Sequence, residues 1–451
     1  MFVIPGILFF FTFVYIRPQE IYEFLHPVGF VHMVGILALG YLLDLRTGIT
    51  RLFASPLLLP TFAFYLWSFI TIVIKAPNGM DKHLPLTAAS LVGFLAASQA
   101  LQNLRALTIA ATIVLVLATV LAYVSVQQGL SQAVCFDRND DAAEPDVGRP
   151  CANAADCRKS GDPGGEYTCA RPGPMGTRSV GDRVRFRGQL EDPNELAWVV
   201  SSAIPIAFSW YERRRNLRRI AITLAVAALC VTAVIMTKSR SGQLSLTAVL
   251  GVYFLRRFGK KGVIVAAILS VPVMMLGGRS GEEAESSSDE RLGCWSEAMG
   301  LWRENPLMGV GGSQFTEHHY LTAHNSYMLV LAELGPLGLF LWSCTIYLAF
   351  KIVVRVQSDF ANRPEAANAR TWATALLGMM AGFVVSAFFL SLPYHAILWV
   401  EIGLCGALYA TVRRHEPTWS VALERRDFLV VGLLDIGIIS AIGLYLRSKG
   451  I

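Results

Sequence analysis

Charge is scarce in this chain. Asp, Glu, Lys and Arg make up 16% of 451 residues, against 54% hydrophobic residues, and so few charges exclude a water-soluble globular domain. Uncharged runs of 16–24 residues recur along the sequence instead. A helix needs about 20 residues to cross a bilayer core, so the pattern is that of a polytopic membrane protein. Two further absences narrow the reading. The first apolar run lacks a small-residue cleavage site, so it is expected to be a retained helix rather than a removed signal peptide. No nucleic-acid motif is present, and the formal charge of +6 comes mostly from arginines that orient membrane helices.

The expected fold is an all-α polytopic bundle of about 12–14 transmembrane helices with two long outward loops. Candidate spans are 2–16, 28–45, 52–75, 84–101, 104–126, 193–210, 219–237, 240–255, 262–277, 325–350, 371–391, 396–412 and 428–446. They divide the chain into N-terminal helices (1–126), a Cys-rich loop (127–192), central helices (193–277), a second loop (278–324) and C-terminal helices (325–451). With the N-terminus inside, the clusters Arg213–Arg215 with Arg218 and Arg219, Arg256–Arg257 with Lys260–Lys261, and Arg413–Arg414 with Arg425–Arg426 share the inner side. The short loops there, with the span ends that flank them, carry 20 Lys and Arg against seven opposite. Basic residues stay inside, which sends both long loops outward.

The Cys-rich loop contains no histidine. Cys135, Cys151, Cys157 and Cys169 are separated by 15, 5 and 11 intervening residues, unlike the paired C-x2-C of structural zinc sites. Two disulfides in an oxidising compartment fit better, and three pairings remain open. The insert is expected to decorate or lid the outer face.

Few ionisable residues fall inside the spans away from their ends: Glu333, Glu401 and Asp435. A transporter or flippase would be expected to place charged groups or broken helices near the midplane, which makes that class a distant alternative. Titratable groups cluster instead around the second loop. Residues 289–304 place Leu292, Trp295, Met299 and Trp302 on one stripe, as in an amphipathic helix suited to the membrane interface. Asn305-Pro306 ends it, and a glycine-rich turn over 308–312 leads to His318, His319 and His324. With only Glu317 as a nearby carboxylate, no metal site is expected there.

His324 and Asn325 head the next span. If Asn325 starts that helix, His324, Gly335 and Gly338 lie within roughly 60° on one stripe and Glu333 about 180° away. Glu333 is therefore assigned to packing. The plain alternative is a capping histidine above glycines that let a neighbouring helix approach. Outward arginines argue for more. Arg187 lies just before Asp192-Pro193, which should cap and start a helix; Arg240 sits in a tight outward turn; Arg279 and Arg291 belong to the second loop. Guanidinium forks match phosphate oxygens and stay charged at physiological pH.

Four stretches in order resemble the O-antigen ligase and polymerase superfamily of bacterial envelope glycosylation. They are Arg187-Gly-Gln-Leu-Glu-Asp-Pro-Asn194-Glu-Leu-Ala, Thr237-Lys-Ser-Arg240-Ser-Gly, Arg291 with Trp295 and Asn305-Pro-Leu-Met-Gly-Val-Gly311, and His324-Asn325 followed by Gly335 and Gly338. The resemblance implies a fold similar to the C-type glycosyltransferases, in a bacterial inner membrane with the site facing the periplasm. It implies inverting, metal-independent transfer, without a cofactor, of a glycan from undecaprenyl pyrophosphate. The acceptor would be lipid A–core, another glycan or a protein. His324 would be the base, Arg187, Arg240, Arg279 and Arg291 would hold the pyrophosphate, and Asn194, Asn325, Gly335 and Gly338 would support them. A repeat-unit polymerase would use the same site. The ligase reading stands slightly ahead because of the spacing after His324.

Overall fold

The computed structural model describes residues 1–137, 149–158, 167–276, 278 and 282–450. Apolar runs become helices because a segment without water must satisfy its own N–H and C=O groups. Five helices open the chain: α1 (Val3–Tyr15), α2 (Phe30–Arg46), α3 (Leu58–Lys75), α4 (Met80–Ala100) and α5 (Leu104–Leu130). The Cys-rich connection holds strand β1 (Val134–Asp137), helix α6 (Ala154–Arg158) and strands β2 (Tyr167–Ala170), β3 (Pro172–Gly173) and β4 (Thr177–Arg178). Next come α7 (Pro193–Glu212), α8 (Leu217–Met236), α9 (Arg240–Phe258), α10 (Lys260–Leu276) and α11 (Glu282–Glu304). After the short α12 (Phe315–His318), the chain ends with α13 (Ser326–Asp359), α14 (Ala367–Ala387), α15 (Ala396–His415) and α16 (Arg425–Ser448).

The fold is thus an all-α polytopic membrane bundle. Each of the expected spans falls on a helix. Six helices, α3, α5, α8, α13, α15 and α16, are long and apolar enough to cross a membrane by themselves.

At its centre, Trp198, Trp342, Trp372 and Trp399 are fully buried. Helix α4 packs along α15, and α7 and α9 pack along α14. Small residues permit the first of these approaches: a Cβ added at Gly406 of α15 would lie 2.9 Å from the Ser98 Cβ of α4. Close backbone contact of this kind is what holds helices together where lipid offers no hydrophobic contrast.

The two ends of the bundle differ. Ion pairs of the basic clusters gather at one, including Lys351 with Asp427 at 2.6 Å and Arg257 with Glu212 at 2.7 Å. The other end carries the long connections.

The Cys-rich connection is stapled by Cys135–Cys157 and Cys151–Cys169. Strands β1 and β2 pair antiparallel with Cys135 opposite Cys169, so each strand is tied to the 149–158 segment rather than to its partner. The sulfurs of Cys135, Cys151 and Cys157 lie within 4.8 Å of one another because the two bridges are neighbours.

Helix α11 departs from its expected role. Its apolar stripe does not rest on the membrane interface: Ala298, Met299 and Leu301 join Met328, Leu329 and Ala332 of α13 and Ile442 and Leu446 of α16 in a second buried core, against which Trp295 and Trp302 pack. Protein surface outcompetes lipid here because interdigitated side chains gain dispersion contacts as well as burial.

Candidate active site at the loop end of the bundle

Asn194 joins two of the sequence motifs. Asp192 caps α7, and its carboxylate accepts from the Asn194 backbone N at 2.8 Å and from Asn194 Nδ2 at 2.7 Å. The Asn194 Oδ1 accepts from Ser239 Oγ at 2.6 Å and from Arg183 Nη2 at 3.1 Å. Arg183 Nε in turn donates to Thr237 O at 3.0 Å. The start of α7 is thereby fastened to the turn that begins α9, where Ser239 is the N-cap. Replacing Asn194 with alanine strands several buried partners and is expected to cost about 2–3 kcal/mol, read as a lower unfolding midpoint in detergent.

His324 stands just before α13. Its backbone is left-handed, with φ 46°, an uncommon state for a residue other than glycine. Asn325 is the N-cap, its Oδ1 accepting from Tyr327 N at 3.0 Å and Met328 N at 3.1 Å. Ser326 Oγ donates to Leu390 O at 2.7 Å and accepts from Leu392 N at 3.0 Å, which binds this turn to the α14–α15 connection.

Burial holds the half-buried His324 below the usual imidazole pKa. Asp192 and Glu290 pull it up, whereas Arg291 and His319 push it further down. A lowered pKa keeps the ring neutral, and able to accept a proton, at pH values below the ordinary imidazole range. Arg291→Gln removes one depressing charge and is expected to shift the acid limb of kcat/KM toward higher pH. A pH–rate profile checks this.

Helix α13 is two helices joined at Gly335, whose φ of 67° and ψ of −173° leave the helical region. The expected stripe of His324, Gly335 and Gly338 assumed one continuous helix and therefore does not exist. The broken end is repaired by the glycine-rich turn: Val310 N donates to Ala332 O and Gly311 N to Glu333 O, both at 2.9 Å. Trp67 Nε1 donates to Leu334 O at 2.8 Å. Backbone carbonyls freed inside a bundle need such partners. A Cβ at Gly335 would overlap the Leu307 carbonyl, and one at Gly338 would overlap Leu334, so neither glycine opens a groove.

Glu333 is turned inward. Its carboxylate accepts from Ser313 N at 2.9 Å and Phe315 N at 3.0 Å. It also helps line a cavity of about 310 Å³ with Glu195, Thr322, Ser391, Tyr394 and His395. The sequence reading had set it aside as packing. His395 is 4% exposed with its ring set against the Gln189 backbone, Tyr394 is directed at Glu333 and Ser68, and Ser391 Oγ has no hydrogen-bond partner among the described residues. Burial pushes His395 down to about 3, so its 3.9 Å approach to Glu195 is a neutral contact, too long for a hydrogen bond. Glu195 stands one helical turn after Asp192, and this first turn of α7 links the cavity to His324.

The sequence-selected arginines separate. Arg291 acts directly on His324 and lies over the Phe389 ring at 5.7 Å. Arg240 is exposed at the first turn of α9, next to Ser239. Arg187 is half-buried, donating to Glu20 O at 3.2 Å and Gly176 O at 2.7 Å, so it ties two connections together, two residues before the cavity-lining Gln189. Arg279 lies outside the described residues.

Sequence reasoning missed His83, Glu195, Tyr394 and His395. His83 bridges Ser68 Oγ at 3.0 Å and Ser313 Oγ at 2.9 Å, fastening the glycine-rich turn to α3 and α4. Glu195 falls inside the first motif without being singled out there, and no motif marks the other three. The available signal was topological, since the expected connections after the first, third and eleventh spans share a side with both long loops.

A multi-pass bundle that gathers a histidine, two carboxylates and a lysine around a polar cavity at one end has the makings of a membrane-embedded transferase. Residues 225–343 match the family model described as O-antigen ligase. Over that stretch the chain is similar to the O-antigen ligase and polymerase superfamily, glycosyltransferase-like proteins of polysaccharide biosynthesis. The matched stretch includes Arg240, Arg291, His324, Asn325, Gly335 and Gly338 but not Arg187 or Asn194. No curated protein matches the chain.

Proposed function

We propose that this protein transfers a glycan from undecaprenyl pyrophosphate to an acceptor hydroxyl on the periplasmic face of the bacterial inner membrane. The acceptor oxygen forms a bond to the anomeric carbon as the sugar–pyrophosphate bond breaks, and the bonding pair leaves with the pyrophosphate. One direct displacement inverts the configuration. The hydroxyl proton passes to His324, whose neutral ring is a matched base. Negative charge developing on the leaving group is met by Arg240 and Arg291, with Arg187 and Arg279 as further candidates, so fixed guanidinium groups serve where other enzymes use a metal.

The observation that carries this reading is that His324 lies close enough to Asp192 and Arg291 for the charge of each to act on it, inside the stretch that matches the family. The nearby cavity suits the acceptor sugar. Its hydroxyl, carboxyl and imidazole groups, Ser391 Oγ among them without a partner in the described residues, offer hydrogen bonds to sugar hydroxyls, and its size sits at the lower end of small-molecule sites. Glu195→Gln with His395→Ala is expected to raise the acceptor KM about tenfold or more while the donor KM stays near wild type.

Incubating the purified protein with an undecaprenyl-pyrophosphate glycan, alone or with lipid A–core or protein acceptors, tests the assignment. Transfer only to an added acceptor means ligase. Chain lengthening without one means polymerase, and no product with any acceptor overturns the reading.

A further inference from the structure

At the end of the bundle opposite His324, two adjoining cavities share Leu52 and Phe53 in their walls. Helix α15 begins beside the polar cavity at His395 and finishes at Arg413–His415, about 30 Å away for its 20 residues. The first of the two cavities, about 320 Å³, is lined by Arg51, Arg413 and Arg414, with no carboxylate in its wall. The second, about 720 Å³, runs between α2, α3 and α4 among Leu37, Leu58, Phe62 and Leu95. Phe62 is 55% exposed, so this cavity opens on the side of the bundle that faces lipid.

The basic cavity is built rather than accidental. Gln102 clamps Arg51, its Oε1 accepting from Arg51 N at 2.8 Å and its Nε2 donating to Arg51 O at 2.6 Å. The Arg51 guanidinium has no hydrogen-bond partner among the described residues. Arg414 Nη1 donates to Ile49 O and Arg413 Nη1 to Tyr409 Oη, both at 2.9 Å, which positions each fork and leaves most of its five donors unused. Glu416, the nearest carboxylate in sequence, is engaged by Arg363. Phe53, between the cavities, holds a left-handed φ of 54° and is 79% exposed. Strain of this kind persists where surrounding structure enforces it, often at ligand sites.

We propose that the paired cavities bind one anionic phospholipid of the leaflet at this end, with an acyl chain in the apolar cavity and the phosphodiester on the three arginines. Guanidinium forks match phosphate oxygens. Basic pockets between membrane helices recognise anionic headgroups. A zwitterionic lipid would bring its ammonium group against three like charges. This site is separate from the transfer site and does not depend on what His324 does.

Native mass spectrometry and thermal unfolding of the full-length protein in detergent, titrated with phosphatidylglycerol, phosphatidylcholine or inorganic phosphate, test the proposal. Phosphatidylglycerol should bind and raise the unfolding midpoint, phosphatidylcholine should do neither, and inorganic phosphate should compete only weakly. The triple variant Arg51→Gln, Arg413→Gln, Arg414→Gln should bind phosphatidylglycerol about 100-fold more weakly, at about fivefold per arginine. Leu95→Trp, which fills the apolar cavity and leaves the arginines intact, should also weaken it. Equal binding of the two lipids, or wild-type affinity in both variants, would overturn the proposal. Inorganic phosphate competing as strongly as the lipid would do so too, since it would mark a free-anion site.

Discussion

Replacing His324 with alanine is expected to lower turnover by about 10²–10⁴-fold, the usual contribution of a positioned general base. The fold should survive. His324 precedes α13, and the helix start is held by Asn325 and Ser326 through backbone partners that do not involve the imidazole. The loss should therefore appear in kcat with little change in unfolding midpoint. In wild type the acid limb of the pH profile should lie below the ordinary imidazole value, because burial and Arg291 lower the His324 pKa more than Asp192 raises it. Protonation then removes the base only at lower pH.

The largest structural effect is expected at Gly335. Alanine there would have to adopt φ 67° with ψ −173°, a backbone region that essentially only glycine occupies. Its Cβ would also overlap the Leu307 carbonyl. Either the break in α13 shifts or the 305–311 turn withdraws, and withdrawal would strip Ala332 O and Glu333 O of their backbone donors. A loss of about 3 kcal/mol or more is expected as a fall in unfolding midpoint. Activity should fall with it, since the same turn leads into Ser313 and Phe315, which bond Glu333. Pro336→Ala is the control and should cost far less, because the non-helical backbone at Gly335 remains. A Gly335→Ala protein as stable as wild type would mean that the break is incidental.

Much of this arrangement was legible from residue types alone. Hydropathy located the helices, the arginine bias sorted their ends, and Asp192-Pro193 marked the start of α7 because capping is local chemistry. The four motifs carried enough to bring Arg291 near His324. The helix break was signalled by Gly335-Pro336, yet a uniform turn per residue was laid across it, and this put Gly338 on one stripe with His324. Helix geometry fails wherever one residue leaves the helical region, and every position beyond it is rotated.

His83, Glu195 and His395 were harder to find, because their grouping depends on which helices pack together. Helices α4, α7 and α15 are far apart in sequence, and no local pattern records their neighbours. The inward packing of α11 was hidden for a related reason. An amphipathic stripe states that one face is apolar and leaves open whether lipid or protein covers it.

The central claim is that His324 is the base in glycan transfer from a lipid-linked donor. Its most direct test is a single-turnover assay with purified protein, an undecaprenyl-pyrophosphate glycan and an acceptor, comparing wild type with His324→Ala at saturating concentrations of both substrates. The account predicts inverted glycoside product from wild type and a rate about 10²–10⁴-fold lower from a variant that still binds donor. Product formed by the variant at the wild-type rate would contradict it.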